Sequence, residues 1–219
     1  MNPNTDYSIR SFIGGYDNNL TYLINCSRTG AQVLIDAAVE LSQLSPYINH
    51  EPLAVMITHG HQDHIAFLDQ YISHYPNMVI IGHSESSINH YQRYKNIRDG
   101  EVIKVGELTF LVIYTPGHYY DSICYMIDPV LFTGDTMFVG RTGRVKSDKS
   151  DIKDLYDSVY NKILTLPHNI RIYPGHDYGE SSTILLKENI KMSPLLQAKD
   201  LMDFKERMKN YEENRKPGS

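Results

Sequence analysis

The sequence predicts an α/β protein in which mixed β-sheets are covered by helices. Strand-like apolar runs interleave with amphipathic helical stretches along the whole chain. Strand follows strand directly in both halves, over residues 7–36 and again over 101–133, which a purely parallel sheet would not allow. The continuous apolar run at 53–58 has the pattern of a strand buried on both faces.

Each element has a local reason. Residues 7–13, 20–25 and 32–36 read as strands, separated by the turn residues Gly14-Gly15, Asn18-Asn19 and Gly30. A helical stretch over 39–48 precedes the 53–58 run. Within 64–75, Ile65, Leu68 and Ile72 recur on one face, with Phe67 and Tyr71 beside them, which predicts an amphipathic helix. Residues 78–81 read as strand and 84–94 as helix, followed by strands at 101–104, 108–114, 123–127 and 130–133. Ser150 is expected to cap a helix over 151–164, whose apolar face is Ile152, Leu155, Val159 and Ile163. A last strand is expected at 170–173, and charged helices at 180–191 and 200–213. No Pro/Gly/Ser-rich linker interrupts the middle, so the expectation is one catalytic domain over 1–179 with a helical extension, 180–219, packed on it. The face formed by Leu201, Phe204 and Met208 is expected to pack on that domain or on a second subunit, as in a homodimer.

Composition narrows the function. Lys plus Arg number 21 and Asp plus Glu 26, a net charge of −5. That balance disfavours a general nucleic-acid binder, which needs a basic face. No apolar run approaches the ~20 residues of a membrane span. The first ten residues are polar and lack the apolar segment of a secretory signal. Cys26 and Cys124 lie far apart, outside any CxxC pattern, and read as buried reduced thiols of a cytoplasmic protein.

The chemistry lies in the histidines. Thr58-His59-Gly60-His61-Gln62-Asp63-His64 places four metal-ligand candidates where a buried strand ends. His59 and His61 are one residue apart and point the same way in extended backbone. Gly60 allows a bend between them, and Asp63 and His64 are expected at a helix start, aimed back at the strand end. Three further apolar strands each run into a ligand-type residue in a small-residue turn: Pro116-Gly117-His118, Gly134-Asp135-Thr136 and Pro174-Gly175-His176-Asp177. Ligands at several strand ends converge on one sheet edge. The set is His59, His61, Asp63, His64, His118, Asp135 and His176, without a thiolate and larger than a closed structural zinc site. Two divalent ions roughly 3.5–4 Å apart, bridged by one carboxylate and open to water, would use it.

These motifs, THGHQDH, TPGH, FTGDT and YPGHDY, resemble the metallo-β-lactamase superfamily over about residues 7–178. The resemblance implies an αββα four-layer sandwich, two facing mixed sheets with helices outside and the metals at one edge. It implies that His59, His61 and His118 hold the first ion, that Asp63, His64 and His176 hold the second, and that Asp135 bridges. Asp63 and Asp135 are the carboxylates it places in catalysis. Asp36 matches an acidic position near the site and is expected to orient a ligand. Zinc is the expected metal, with iron or manganese as alternatives for the same donor set.

Water between two such ions is hydroxide near neutral pH and can attack a carbonyl. A thiolate, with a conjugate-acid pKa of roughly 8.5, leaves with little help, so thioesters suit the site. Within the superfamily the sequence looks most like the glyoxalase II group, which implies hydrolysis of a hydroxyacylglutathione thioester. The alternative is the related persulfide dioxygenase group, which oxidises glutathione persulfide on one iron held by His59, His118 and Asp135. The stretch Gly140–Lys146 lacks the Cys of the Gly-Cys-Gly-(Arg/Lys) segment frequent in glyoxalase II, and 43 residues follow His176, few for that group's glutathione-binding domain. Arg141, Arg144 and Lys146 are expected to receive substrate carboxylates, and Tyr119, Tyr120 and Tyr178 to line the pocket.

Overall fold

The computed structural model describes residues 6–214. One six-stranded sheet runs β1 (Tyr7–Gly14), β2 (Asn19–Cys26), β3 (Gln32–Ile35), β4 (Ala54–Met56), β5 (Val79–His83) and β6 (Tyr94–Ile97) in spatial order. Its first three strands are antiparallel and β3 to β6 pair in parallel. The second sheet contains β7 (Val102–Val105), β8 (Leu108–Tyr114), β9 (Ile123–Ile127), β10 (Val130–Gly134), β13 (Arg171–Pro174) and β14 (Ile184–Leu185). Here only β10 and β13 are parallel neighbours. A two-stranded hairpin, β11 (Met137–Phe138) with β12 (Arg141–Thr142), lies between β10 and β13 in the chain.

Period-two alternation assigns the layers. Tyr22, Ile24, Val33, Ile35 and Met56 of the first sheet meet Phe110, Val112, Tyr125 and Phe132 of the second in one buried cluster. The alternate residues Leu23, Leu34 and Val55 point outward, against α1 (Leu41–Leu44) and α2 (Leu68–His74). On the far side Ile113, Cys124, Leu131 and Ile172 pack on α3 (Ile152–Asn161), α4 (Leu186–Met192) and α5 (Leu201–Glu213). Both faces of both sheets are therefore covered, and the fold is the four-layer metallo-β-lactamase sandwich. Strands β3 and β4 are buried at every position, as expected for a parallel centre. Two buried tyrosines brace the layers, Tyr22 donating to Pro174 O (2.6 Å) and Tyr125 to Ile57 O (2.8 Å).

The structure departs from the sequence reading in several places. Residues 84–93 are turns, and β6 follows where helix was expected. Ser86 O, Ile88 O and Tyr91 O accept bonds from the residues three positions on, and Asn89 Nδ2 ties back to Ser84 O, so the segment closes as successive turns. The helix after His64 starts only at Leu68. Asp151, not Ser150, caps α3, accepting from Lys153 N and Asp154 N at 2.7 and 2.9 Å. Residues 184–185 add the edge strand β14 before α4 begins. Both cysteines are free and buried. Among the described residues no helix is long and apolar enough to cross a membrane.

Candidate metal centre

Four strands deliver the candidate ligands to one edge of the sandwich. His59 follows β4, and His118, Asp135 and His176 follow β8, β10 and β13, whose C-terminal ends share an edge. Backbone bonds sew the two sheets together there, from Leu20 N to Gly175 O, Asp177 N to Asn18 O and Ile123 N to Thr58 O, at 2.8, 2.9 and 2.8 Å. Close approach excludes side chains at two glycines. A Cβ on Gly134 (φ +48°) would lie 2.6 Å from Thr58 Oγ1, and one on Gly175 would strike Asp135 Oδ1 and His64 Cε1. Asp63 and His64 sit in a turn closed by His64 N on His61 O, and that turn is fastened by Ala37 N donating to His64 O.

The seven candidates come together as overlapping groups. His59, His61 and His118 form one, Asp63, His64 and His176 another, and His59, His64 and Asp135 a third; within each, one ligand atom per residue lies within 4.8 Å of the others. His61 Nδ1 is 2.9 Å from His59 Nε2 and 3.1 Å from His118 Nε2. His64 Nε2 and His176 Nε2 are 3.2 Å apart. Asp135 lies between the groups, with Oδ1 3.1 Å from His64 Nε2 and Oδ2 3.4 Å from both His118 Nε2 and His176 Nε2. Asp63 Oδ2 is 3.3 Å from His176 Nε2.

Outer hydrogen bonds fix which ring nitrogens carry protons. His118 Nδ1–H donates to Arg144 O (2.9 Å), and His176 Nδ1–H to Asp17 O (2.7 Å). His64 Nδ1–H donates to Asp36 Oδ2 (2.8 Å). Thr58 Oγ1 gives its hydrogen to Asp36 Oδ2 (2.8 Å), so it accepts from His59 Nδ1–H (3.2 Å). His59 and His118 therefore turn bare Nε2 atoms inward, at contact distance from another ring nitrogen, while the inward Nε2 atoms of His64 and His176 face the carboxylates of Asp135 and Asp63. Such lone pairs repel unless protons or cations lie between them. Asp135 Oδ1 is buried, and beyond His64 Nε2 at 3.1 Å no donor faces it among the described residues. This donor set fits two divalent ions.

Electrostatics divide the cluster. Burial holds His59 well below the usual imidazole range, pushes His61 down to about 4 and lowers His118. Burial opposes charge at His64 and His176 too, but Asp135, with Asp36 at His64 and Asp63 at His176, outweighs it; His176 rises to about 9. Burial likewise opposes ionisation of Asp63 and Asp135, yet His176 and His64 hold both below the usual carboxylate range.

Asp36 is the hub of the outer shell. It accepts from Thr58 N (2.7 Å), Thr58 Oγ1 and His64 Nδ1, while its own backbone sits at φ +58°. That conformation costs a non-glycine residue roughly 1–3 kcal/mol. Sequence reasoning missed three further supports. Asn19 Nδ2 donates to Asp63 Oδ2 (3.0 Å), Asp17 O receives His176, and Asp121 Oδ1 accepts from Gly60 N (3.1 Å) between the first two histidines. Asn19 read only as a turn residue, Asp17 beside that turn carried no signal, and Asp121, three residues after His118, has no motif of its own.

The expected substrate residues lie alongside. The β11–β12 hairpin presents Arg141, whose guanidinium sits 4.1 Å over the Tyr178 ring and donates to Tyr211 Oη (2.9 Å). Tyr178 stacks on His176 with ring centroids 4.7 Å apart and donates to Asp17 Oδ2. Tyr119 packs on His61 at 4.0 Å between centroids, whereas Tyr120 points its hydroxyl to Glu85 O. Arg144 and Lys146 both engage Glu212 of α5. A cavity of about 60 Å³, lined by His118, Asp135, Arg141, Arg144 and Tyr178 among others, opens between the ligands and these side chains.

Known proteins resemble this chain in sequence and fold. The crystal structure of ETHE1 from Myxococcus xanthus superposes with a TM-score of 0.84 at 29% identity, covering 96% of this chain and 93% of that one. The probable polyketide biosynthesis zinc-dependent hydrolase PksB of Bacillus subtilis is 29% identical over 177 residues, 78% of each chain. The hydroxyacylglutathione hydrolase of Francisella tularensis subsp. novicida is 39% identical over 127 residues, 57% of this chain and 49% of that protein. The chain thus spans about half the length of that hydrolase. Residues 14–176, which run from the end of β1 to the last candidate ligand, match the Lactamase_B family model, and the chain therefore belongs to the metallo-β-lactamase superfamily.

Proposed function

We propose that this metallohydrolase-type protein is a thioesterase that hydrolyses a hydroxyacylglutathione-like thioester. The observation that carries the reading is the 39% identity over 127 residues to a hydroxyacylglutathione hydrolase, with Asp135 placed between a nitrogen-only ligand group and a second group with its own carboxylate. His59, His61 and His118 would hold one ion, Asp63, His64 and His176 the other, and Asp135 would bridge. When bound, two ions of zinc, or of iron or manganese, supply an activated water and stabilise the oxyanion of an attacked carbonyl.

The chain's own residues do the rest. Asp36, Thr58, Asp17 O and Arg144 O hold the rings so that their Nε2 atoms face inward. Asn19 donates to Asp63 Oδ2 and adds to the hold that His176 and His64 have on its ionised form. Arg141 is buried, and among the described residues it has no carboxylate partner, so it is positioned to receive a substrate carboxylate. Arg144 lines the same cavity. A thiolate product needs no strong general acid, its conjugate acid having a pKa of roughly 8.5. The local identity to a hydroxyacylglutathione hydrolase supports this substrate class.

A second reading, iron-dependent oxidation of glutathione persulfide with His59, His118 and Asp135 as ligands, is favoured by the whole-length likeness to ETHE1. One experiment separates the two: metal analysis of the purified protein with parallel assays on lactoylglutathione and glutathione persulfide. Two bound ions with thioester hydrolysis support the first reading; one iron with oxygen uptake replaces it with the second. Arg141→Ala should raise KM for the thioester about tenfold with a smaller change in kcat. A fall in kcat at constant KM would remove Arg141 from substrate binding.

A further inference from the structure

The last turn of α5 reaches into the basic loop beside the candidate metal centre. Arg144 Nε contacts Glu212 Oε1 and Oε2 at 3.1 and 3.2 Å, and its Nη2 reaches Oε2 at 3.0 Å. Lys146 Nζ is 2.8 Å from the same oxygen. Neighbouring Tyr211 accepts from Arg141. The helix is fixed behind this contact by buried Phe204 and Met208, with Phe204 against Tyr156 and Tyr160.

Glu212 stands where helix electrostatics oppose it. A carboxylate at a helix C-terminus faces the negative end of the macrodipole, and no basic residue in that turn of α5 offsets it. Among the described residues its ion-pair partners are Arg144 and Lys146, 68 and 66 positions earlier. Glu212 thus fills the seat a ligand carboxylate would take on Arg144, and Arg141 remains the cation facing the cavity without an acidic partner among the described residues.

We infer that Glu212 is a specificity-determining residue: it withholds Arg144 from the substrate, so a thiol moiety bearing one carboxylate is accommodated by Arg141 while a second carboxylate must displace Glu212. This deepens the thioesterase reading and rests on it for the kind of ligand. The closing experiment needs no turnover. Calorimetry on the metal-loaded full chain compares two unreactive thioethers, S-hexylglutathione with two carboxylates and S-hexyl-N-acetylcysteine with one. In Glu212→Gln the affinity ratio should shift toward S-hexylglutathione by about fivefold to tenfold, the scale of one charge-assisted contact. Arg144→Ala should weaken S-hexylglutathione strongly in the Glu212→Gln background and little in the wild type. An unchanged ratio, an equal loss from Arg144→Ala in both backgrounds, or no binding of either thioether overturns the inference. Failure of the thioesterase reading shows separately, as metal-loaded wild type that binds the thioethers but does not hydrolyse lactoylglutathione.

Discussion

The group of His59, His61 and His118 is built from ring nitrogens alone, whereas Asp63, His64 and His176 carry their own carboxylate and are supported by two more, Asp36 and Asp135. Burial governs the first group and lowers all three imidazoles. Carboxylates govern the second and raise both histidines against burial. The two groups are nearly touching, so the contrast comes from immediate neighbours rather than from depth in the protein. A neutral nitrogen pocket suits zinc, and a mixed nitrogen and oxygen pocket tolerates harder ions.

Asp135→Ala attacks what the groups share and has the largest expected effect. Both pockets should weaken together, metal content should fall below one ion per chain, and kcat/KM should drop about a thousandfold, corresponding to several kcal/mol of lost charge stabilisation. Unchanged metal content and rate in that variant would falsify the shared-carboxylate model.

Single-ligand variants come next and separate the pockets. His118→Ala and His176→Ala should each retain about one of the two ions expected of a bridged site. Zinc should be favoured by the pocket that survives in His176→Ala, and manganese should be held comparatively better by the one that survives in His118→Ala. Mass spectrometry of metal-loaded protein reads both, and identical preferences would erase the proposed difference.

A smaller effect is expected in the outer shell of the second group. Asp36→Asn keeps a side chain tolerant of positive φ but removes the charge that faces His64. Metal affinity should fall about 10- to 100-fold with the fold retained, as measured by competition with a chromophoric chelator alongside circular dichroism. Asn19→Ala deletes the neutral donor to Asp63 and the Oδ1 that accepts from Asp17 N at 3.1 Å, and a loss of about fivefold in the same titration is expected. A larger loss than for Asp36→Asn would invert the ranking of the two supports.

The ligand candidates were legible because each lies in a short local motif at the end of an apolar strand, and strand ends in such folds collect on one edge. The orientation of the rings was not. His118 is set by a carbonyl 26 positions later, and His176 by one 159 positions earlier, neither of which leaves a mark on local sequence. The segment at 84–94 misled for a related reason. Its apolar spacing suits a helix, but serines and asparagine offered competing turns, and β6 is decided by pairing with β5. Strands β11, β12 and β14 are two residues each, too short for periodicity to register.

Local chemistry alone thus specified the alternating layers, the four motif-bearing turns and the donor types, because side-chain period and residue type are properties of the chain itself. The tertiary structure decided which nitrogen of each ring faces inward, that Asp135 lies between the groups with Oδ2 equally close to His118 and His176, and that Glu212 reaches the basic loop. Those outcomes depend on partners brought together by sheet packing, and distance in space is not encoded at any one position in the sequence.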